Sequence, residues 1–369
     1  ALASEENNTG SLRTAYKFLP RIAKAAPKFG HEVIEVYKTA LASEKNDSIS
    51  LRTAYENLAE IVQAAPELGH EVIDVYKTAL VSEENDSISL QIIYKSLAEI
   101  AESSPELGYE ILETYKIALI SEKNDGYSLE CAYKLLANIA QVSPELGHEI
   151  VEAYKISMTS ENANSSSLDA VHEHLKIMAT NSPELGHEIL EYYKTVLASE
   201  EIDYASWNAA YESLANIAED APELGHEVIE TYKIALTSQK NDYGSLRTAY
   251  KTLAKIAKTA PELGHEILEY YKIALASEEN NTGSLRTAYE FLPRIAKAAP
   301  KFGHEVIEVY KTALALEKND STSLQKAYEN LAEIVQAAPE LRHEVFDVYK
   351  TALASKKNNN DSLNTAYYT

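Results

Sequence analysis

"PELGHEVIDVYKTAL", Pro66–Leu80, opens with a helix breaker and continues with apolar residues three and four apart. Adjacent His70 and Glu71, with Asp74 three residues further on, raise the question of a metal-binding helix. The stretch recurs at Pro27, Pro66, Pro105, Pro144, Pro183, Pro222, Pro261, Pro300 and Pro339, always 39 residues apart. A fixed period of that length reads as a solenoid of stacked units and overrides any domain count drawn from the 369-residue length. The question about His70 therefore applies to the whole array.

Each column of the repeat has a physical reading. Ser heads every unit, from Ser11 and Ser50 to Ser323 and Ser362. A hydroxyl in front of a helix-period pattern is expected to be the N-cap, which is worth about 1 kcal/mol. Leu51, Ala54, Tyr55, Leu58, Ile61, Val62 and Ala65 then form one apolar stripe on a first helix. Pro66 ends that helix and fits the first turn of the next, whose stripe is Leu68, Val72, Tyr76, Ala79 and Leu80. The polar segment "VSEENDSI", Val81–Ile88, links the hairpin to the following Ser. Neither helix can bury its stripe alone, so neighbouring hairpins must stack. The expected organisation is the tail of a preceding repeat over 1–10, nine 39-residue repeats over 11–361 and the start of another over 362–369.

These columns resemble the tetratricopeptide family. Tyr55 and Leu58 match its first aromatic and Leu, and Val72, Tyr76 and Ala79 match its second-helix triplet. "VIEVYKTALASEKND", Val33–Asp47, matches its second helix and exit loop. The departures are Ala59 for Gly, Val62 for Tyr, a missing exit Pro and a period of 39. A HEAT-like hairpin array satisfies the same columns. The resemblance implies an all-α fold, a right-handed superhelical α-solenoid of stacked antiparallel helix pairs, with a concave first-helix face for protein or peptide partners.

Zinc requires two imidazoles four apart, whereas the residue four after His70 is Asp74. His31, His70, His148, His187, His226, His265, His304 and His343 share one column, and Tyr109 replaces them in the third repeat. The reading is a solvated ladder of His, acid and Lys, with no metal and no cofactor. Gly69 is expected to allow a close neighbour rather than an unusual backbone, because Arg342 takes the same column. His172, His174 and Met178 mark a diverged fifth repeat, Trp207 takes a Leu column, and the lone Cys131 reads as inert.

With 34 Lys plus Arg against 57 Asp plus Glu, the net charge is -23, which disfavours nucleic acid and anionic membrane partners. No apolar run reaches bilayer-spanning length, so no membrane insertion is expected. No P-loop, nucleophile elbow or acid pair stands outside the repeats, and no enzyme is expected. Asn-x-Ser/Thr falls at Asn7, Asn46, Asn85, Asn164, Asn280, Asn319 and Asn360, always between units. A turn before a helix selects the same residues, and glycosylation would place the chain outside the cell or on its surface. Arg13, Lys17, Arg21 and Lys24 make a basic patch on the first helix that returns at Arg286, Arg294 and Lys297 as a candidate partner face.

Residues 1–48 and 274–321 differ only at Lys17 versus Glu290 and Ser43 versus Leu316. Such uniformity points to a structural scaffold that assembles with copies of itself, Leu363, Ala366 and Tyr367 offering an end-to-end stacking surface. A peptide-binding adaptor is the competing reading.

Overall fold

The computed structural model describes residues 9–42, 46–82, 85–121, 124–158, 165–198, 204–236, 243–276, 282–316 and 319–353. Among them stand nine pairs of helices and no strand. In chain order they are α1 (Thr9–Ala25), α2 (Gly30–Leu41), α3 (Ser48–Ala64), α4 (Gly69–Leu80), α5 (Ser87–Ser103), α6 (Gly108–Leu119), α7 (Gly126–Val142), α8 (Gly147–Met158) and α9 (Ser165–Asn181). The rest are α10 (Pro183–Ala198), α11 (Tyr204–Asp220), α12 (Gly225–Leu236), α13 (Tyr243–Thr259), α14 (Gly264–Ala276), α15 (Thr282–Ala298), α16 (Gly303–Ala315), α17 (Ser321–Ala337) and α18 (Arg342–Leu353). Repeat 1 is the pair α1 and α2, and repeat 9 is α17 and α18.

The chain divides into two compact bodies, Ala1–Met178 and Ala179–Thr369. In the first, α1, α3, α5 and α7 pack in sequence, as do α2, α4, α6 and α8. In the second, α11, α13, α15 and α17 form one row and α10, α12, α14, α16 and α18 the other. Each body is therefore a stack of helical hairpins, the α-solenoid that the period implies. The core is the seam between rows, where Leu58, Ile61, Val72, Ile73 and Tyr76 of repeat 2 are buried.

Proline makes the turn within each hairpin. Ala65, held extended before Pro66 at φ -146 and ψ 80, still donates to Ile61 O at 2.8 Å. One 3-10 turn, Pro66–Leu68, then leads into α4. Eight repeats share this turn, and in repeat 5 α10 begins directly at Pro183. Gly69 has ordinary right-handed dihedrals, as the Arg342 column required. Its purpose is proximity: a Cβ there would collide with Leu107 Cδ1 of the following repeat.

The N-cap expectation needs correction. The capping residues are Asp47, Asp86, Asp125 and Asp320, whose carboxylates accept from the backbone N–H of Ser50, Ser89, Ser128 and Ser323 at 2.7 to 2.8 Å. The first helices thus begin about a turn before the Ser column. A carboxylate wins this place because it adds a negative charge at the positive helix end. The Ser hydroxyls play varied parts: Ser50 Oγ donates to Thr9 O at 3.3 Å and Ser323 Oγ to Thr282 O at 3.1 Å, each in the preceding repeat, whereas Ser128 Oγ accepts from the Asp125 N–H at 3.0 Å and completes a capping box.

A tyrosine pair closes each hairpin except that of repeat 5, where His172 takes the first-helix place. Tyr76 Oη donates to Tyr55 O at 2.7 Å, and the same bond joins Tyr37 to Tyr16, Tyr115 to Tyr94 and Tyr310 to Tyr289. Burial pushes these second-helix phenols well above their ordinary value, so they remain neutral donors.

Candidate functional site

The His-Glu pair of the repeated motif joins successive repeats. His70 Nδ1 lies 2.5 Å from Glu110, one residue past the equivalent column of the next repeat. His187 meets Glu227 at 2.5 Å, His226 meets Glu266 and His265 meets Glu305 at 2.7 Å, and His304 meets Glu344 at 2.6 Å. His31 and Glu71 form the same pair. Lys77 completes the clip, bonding Glu110 at 3.2 Å while standing 3.6 Å from Asp74. Burial pushes the Glu110 carboxyl up, yet the bonds from His70 and Lys77 outweigh it and hold the group below its usual value. The ladder thus has two kinds of rung: Lys–acid pairs three residues apart along a second helix, as between Lys38 and Glu35 at 2.8 Å, and His–Glu pairs between repeats. No cluster of three or more His, Cys, Asp or Glu suited to a metal occurs among the described residues.

The loop asparagines are clamps. Asn85 Nδ2 donates to Ala79 O at 2.7 Å, the end of α4, while its Oδ1 accepts from Tyr55 Oη at 3.0 Å. Asn46 and Asn319 repeat both bonds with Ala40 and Tyr16, and with Ala313 and Tyr289. Asn124 does the same with Ala118 and Tyr94 inside Asn-Asp-Gly, where no Ser or Thr follows at the third place. The clamp gives this column a structural role that does not depend on the acceptor motif. That signal was available in the sequence, since Asn persists at 124 without the acceptor motif. Asn7, Asn164, Asn280 and Asn360 lie outside the described residues. Asn85→Ala is expected to cost about 1 to 3 kcal/mol, measured by urea denaturation, because it strands a carbonyl and a buried phenol together.

The basic patch divides into two kinds. Arg13 and Arg286 reach across the repeat junction to the capping Asp47 and Asp320, at 3.2 and 3.8 Å, as Arg52 does to Asp86 at 2.6 Å. The pair holds the Asp86 carboxyl at about 2, where the bonds from Ser89 and Arg52 overcome the upward push of burial. Arg294 lies over the Phe291 ring at 4.4 Å and near Glu290, and Lys297 pairs with Glu333 at 2.7 Å. Lys17, Arg21 and Lys24 are exposed, Arg21 resting 5.1 Å from the Phe18 ring. Leu363, Ala366 and Tyr367 lie outside the described residues.

The remaining side chains are packing residues. Trp207 is buried edge-on against Tyr211. Burial raises the Cys131 thiol above its usual value, so little reactive thiolate forms. His172 is buried in the Tyr column, and His174 reaches Tyr154 of the preceding repeat at 3.4 Å.

No protein-family model matches the chain. No curated protein matches it either. Among solved structures it is similar to the karyopherin Kap121p bound to the extreme C-terminus of the protein phosphatase Cdc14p, with a TM-score of 0.59 at 15% identity over 99% of this chain and 40% of that one. It is also similar to Kap121p bound to Pho4p, with a TM-score of 0.53 at 12% identity, covering 99% and 44%. The chain thus spans about two fifths of the karyopherin. At these identities the likeness establishes the fold, a helical solenoid, and does not single out the tetratricopeptide family. No described helix is long and apolar enough to cross a membrane.

Proposed function

We propose that this chain is a non-catalytic protein-binding scaffold that engages partners along the exposed faces of its first helices. The observation that carries this reading is where variation occurs. On the second helices the His, Glu and Lys columns recur and are used in contacts between repeats. On the first helices the outward columns change from Glu56 and Glu60 in repeat 2 to Lys251, Lys255 and Lys258 in repeat 7 and back to Glu329 and Glu333 in repeat 9, and some of these charges pair with neighbouring repeats, as Lys251 does with Glu212 at 2.8 Å. A surface that differs from repeat to repeat can discriminate partners by charge. The tetratricopeptide resemblance supports the same face, and the solenoids of similar fold were solved with protein partners.

Peptides selected by display against the full chain test this reading. Charge reversal at Glu56 and Glu60, or at Lys251, Lys255 and Lys258, is expected to weaken the selected peptides at least tenfold. Equal affinity for the reversed and unmodified chains would reject it.

End-to-end self-assembly is the second reading, favoured by the near-identity of 1–48 and 274–321. Light scattering over a concentration range separates the two. A constant mass near 40.9 kDa fits the adaptor, whereas growth with concentration fits the assembling scaffold.

A further inference from the structure

The outward stripe of α6 is its own chemical complement. Tyr109, Glu113, Lys116 and Ile120 lie four, three and four residues apart, which aligns them along one face of the helix over about 16 Å. That face points away from the core: Tyr109 is 58% exposed, Ile120 55% and the Glu113 side chain 62%. Ile111, Leu112, Tyr115 and Leu119 are buried on the opposite side. Read forward, the order is apolar, acid, base, apolar. Read backward, acid and base exchange places and the apolar ends remain.

Only repeat 3 has both apolar ends. In the other eight repeats His stands in the column of Tyr109, and Ala, Thr or Val in that of Ile120. With Tyr109 the repeat gives up the His–Glu clip, and Glu149 of repeat 4 is held by Lys116 instead. Ile117, one turn before Ile120, and Val81, at the same place on α4, are also about half exposed. Apolar side chains are thus gathered at this face rather than scattered, which is the mark of a contact surface.

The charges decide what it contacts. Lys116 Nζ bonds Glu113 at 2.9 Å and also Glu149, which leaves its third proton for a carboxylate from outside. Asp74 and Lys77 on α4 and Glu152 and Lys155 on α8 continue a row of acids beside a row of lysines. With a net charge of -23, two copies of the chain repel over most of their surface. Across these rows the signs balance. A half-turn about the line between them lays α6 antiparallel on α6 of a second copy. It sets Tyr109 against Ile120 and Glu113 against Lys116, each twice by symmetry. Pairing in the same direction would oppose Glu113 to Glu113.

We propose that the outward face of α6 is a homodimer contact, with Tyr109 packing on Ile120 and Glu113 pairing with Lys116 of a second copy across a two-fold axis. The pair is closed by its symmetry, unlike end-to-end assembly, and leaves the first-helix faces open to other partners. It does not rest on the scaffold reading.

Sedimentation equilibrium of the full chain from about 1 µM to about 1 mM is the test, since so small a contact is expected to be weak. The mass is expected to rise from 40.9 kDa and to stop at twice that value. Y109H/I120A gives α6 the residues of repeat 1 in these columns, His31 and Ala42, and so preserves the fold. It is expected to raise the dissociation constant at least tenfold. E113K and K116E, with circular dichroism matched to the unmodified chain, are each expected to weaken pairing by opposing like charges. Their equimolar mixture is expected to pair at least tenfold more tightly than either alone. A chain that stays at the one-copy mass would overturn the proposal. So would a mixture no tighter than its components, and so would association that Y109H/I120A leaves unchanged, whether it stops at two copies or grows past them. Display-selected peptides that need Tyr109 and Ile120 on a chain of constant mass would give the face to a different protein and overturn it as well.

Discussion

Gly264→Leu is expected to destabilise the array by about 3 kcal/mol or more, while Arg342→Leu in the same column changes stability by no more than about 0.5 kcal/mol. Both residues are right-handed helical, at φ -59 and ψ -37 for Gly264 and φ -54 and ψ -37 for Arg342. Backbone conformation therefore does not demand glycine. If space were free, a side chain at 264 would gain close to 1 kcal/mol of helix propensity. The obstacle is the next repeat, since the rigid Phe302 ring occupies the place of the Cβ and is itself buried. Arg342 is exposed and its Nε reaches only its own turn, at Pro339 O. Because a solenoid is held by nearest-neighbour contacts, the lesion is expected to split urea unfolding into two transitions at the junction of repeats 7 and 8. A single transition with an unchanged midpoint in Gly264→Leu would show that the junction can yield.

The repeat made most of this architecture legible. Proline, the apolar stripes and the period together specify the hairpin, the turn and the stacking of neighbours. The glycine column was also readable, because Arg342 excluded a conformational reason for it. What misled was chemistry shared between roles. Ser, Asp and Asn all favour the start of a helix, so the pattern could not say that Asp47 caps while Ser50 bonds backward, or that Asn85 clamps two helices. The His-Glu clip was hidden for a different reason. Its partners are 40 residues apart and become neighbours only when repeats stack.

Acidification is expected to weaken repeat 5 through one side chain. His172 stands in a column that is tyrosine in the other eight repeats, and it is buried. Burial lowers its pKa from 6.5 to about 4, so the folded protein holds the imidazole neutral where the unfolded chain protonates it. The unfolded state thus binds more protons between those two values. Stability contributed by the neutral ring is intact above pH 6.5 and is lost as pH falls toward 4. The loss reaches about 2 kcal/mol at pH 5 and about 3 kcal/mol at pH 4. His174 is shifted in the same direction, also by burial, and adds to the slope. The capping aspartates act lower: Asp86, with a pKa of about 2, loses its contribution only below the ordinary 3.8. The capping aspartates therefore add little to the slope between pH 6.5 and 4.5, and the comparison with a single substitution separates His172 from the other histidines. His172→Tyr restores the residue of the other repeats and removes one titrating group. Its urea midpoint is expected to fall less steeply than that of the unmodified chain across this interval, with the largest gap at the acid end. Hydrogen exchange should locate the difference in α9. Parallel slopes for the two proteins would show that His172 takes up its proton without unfolding the repeat.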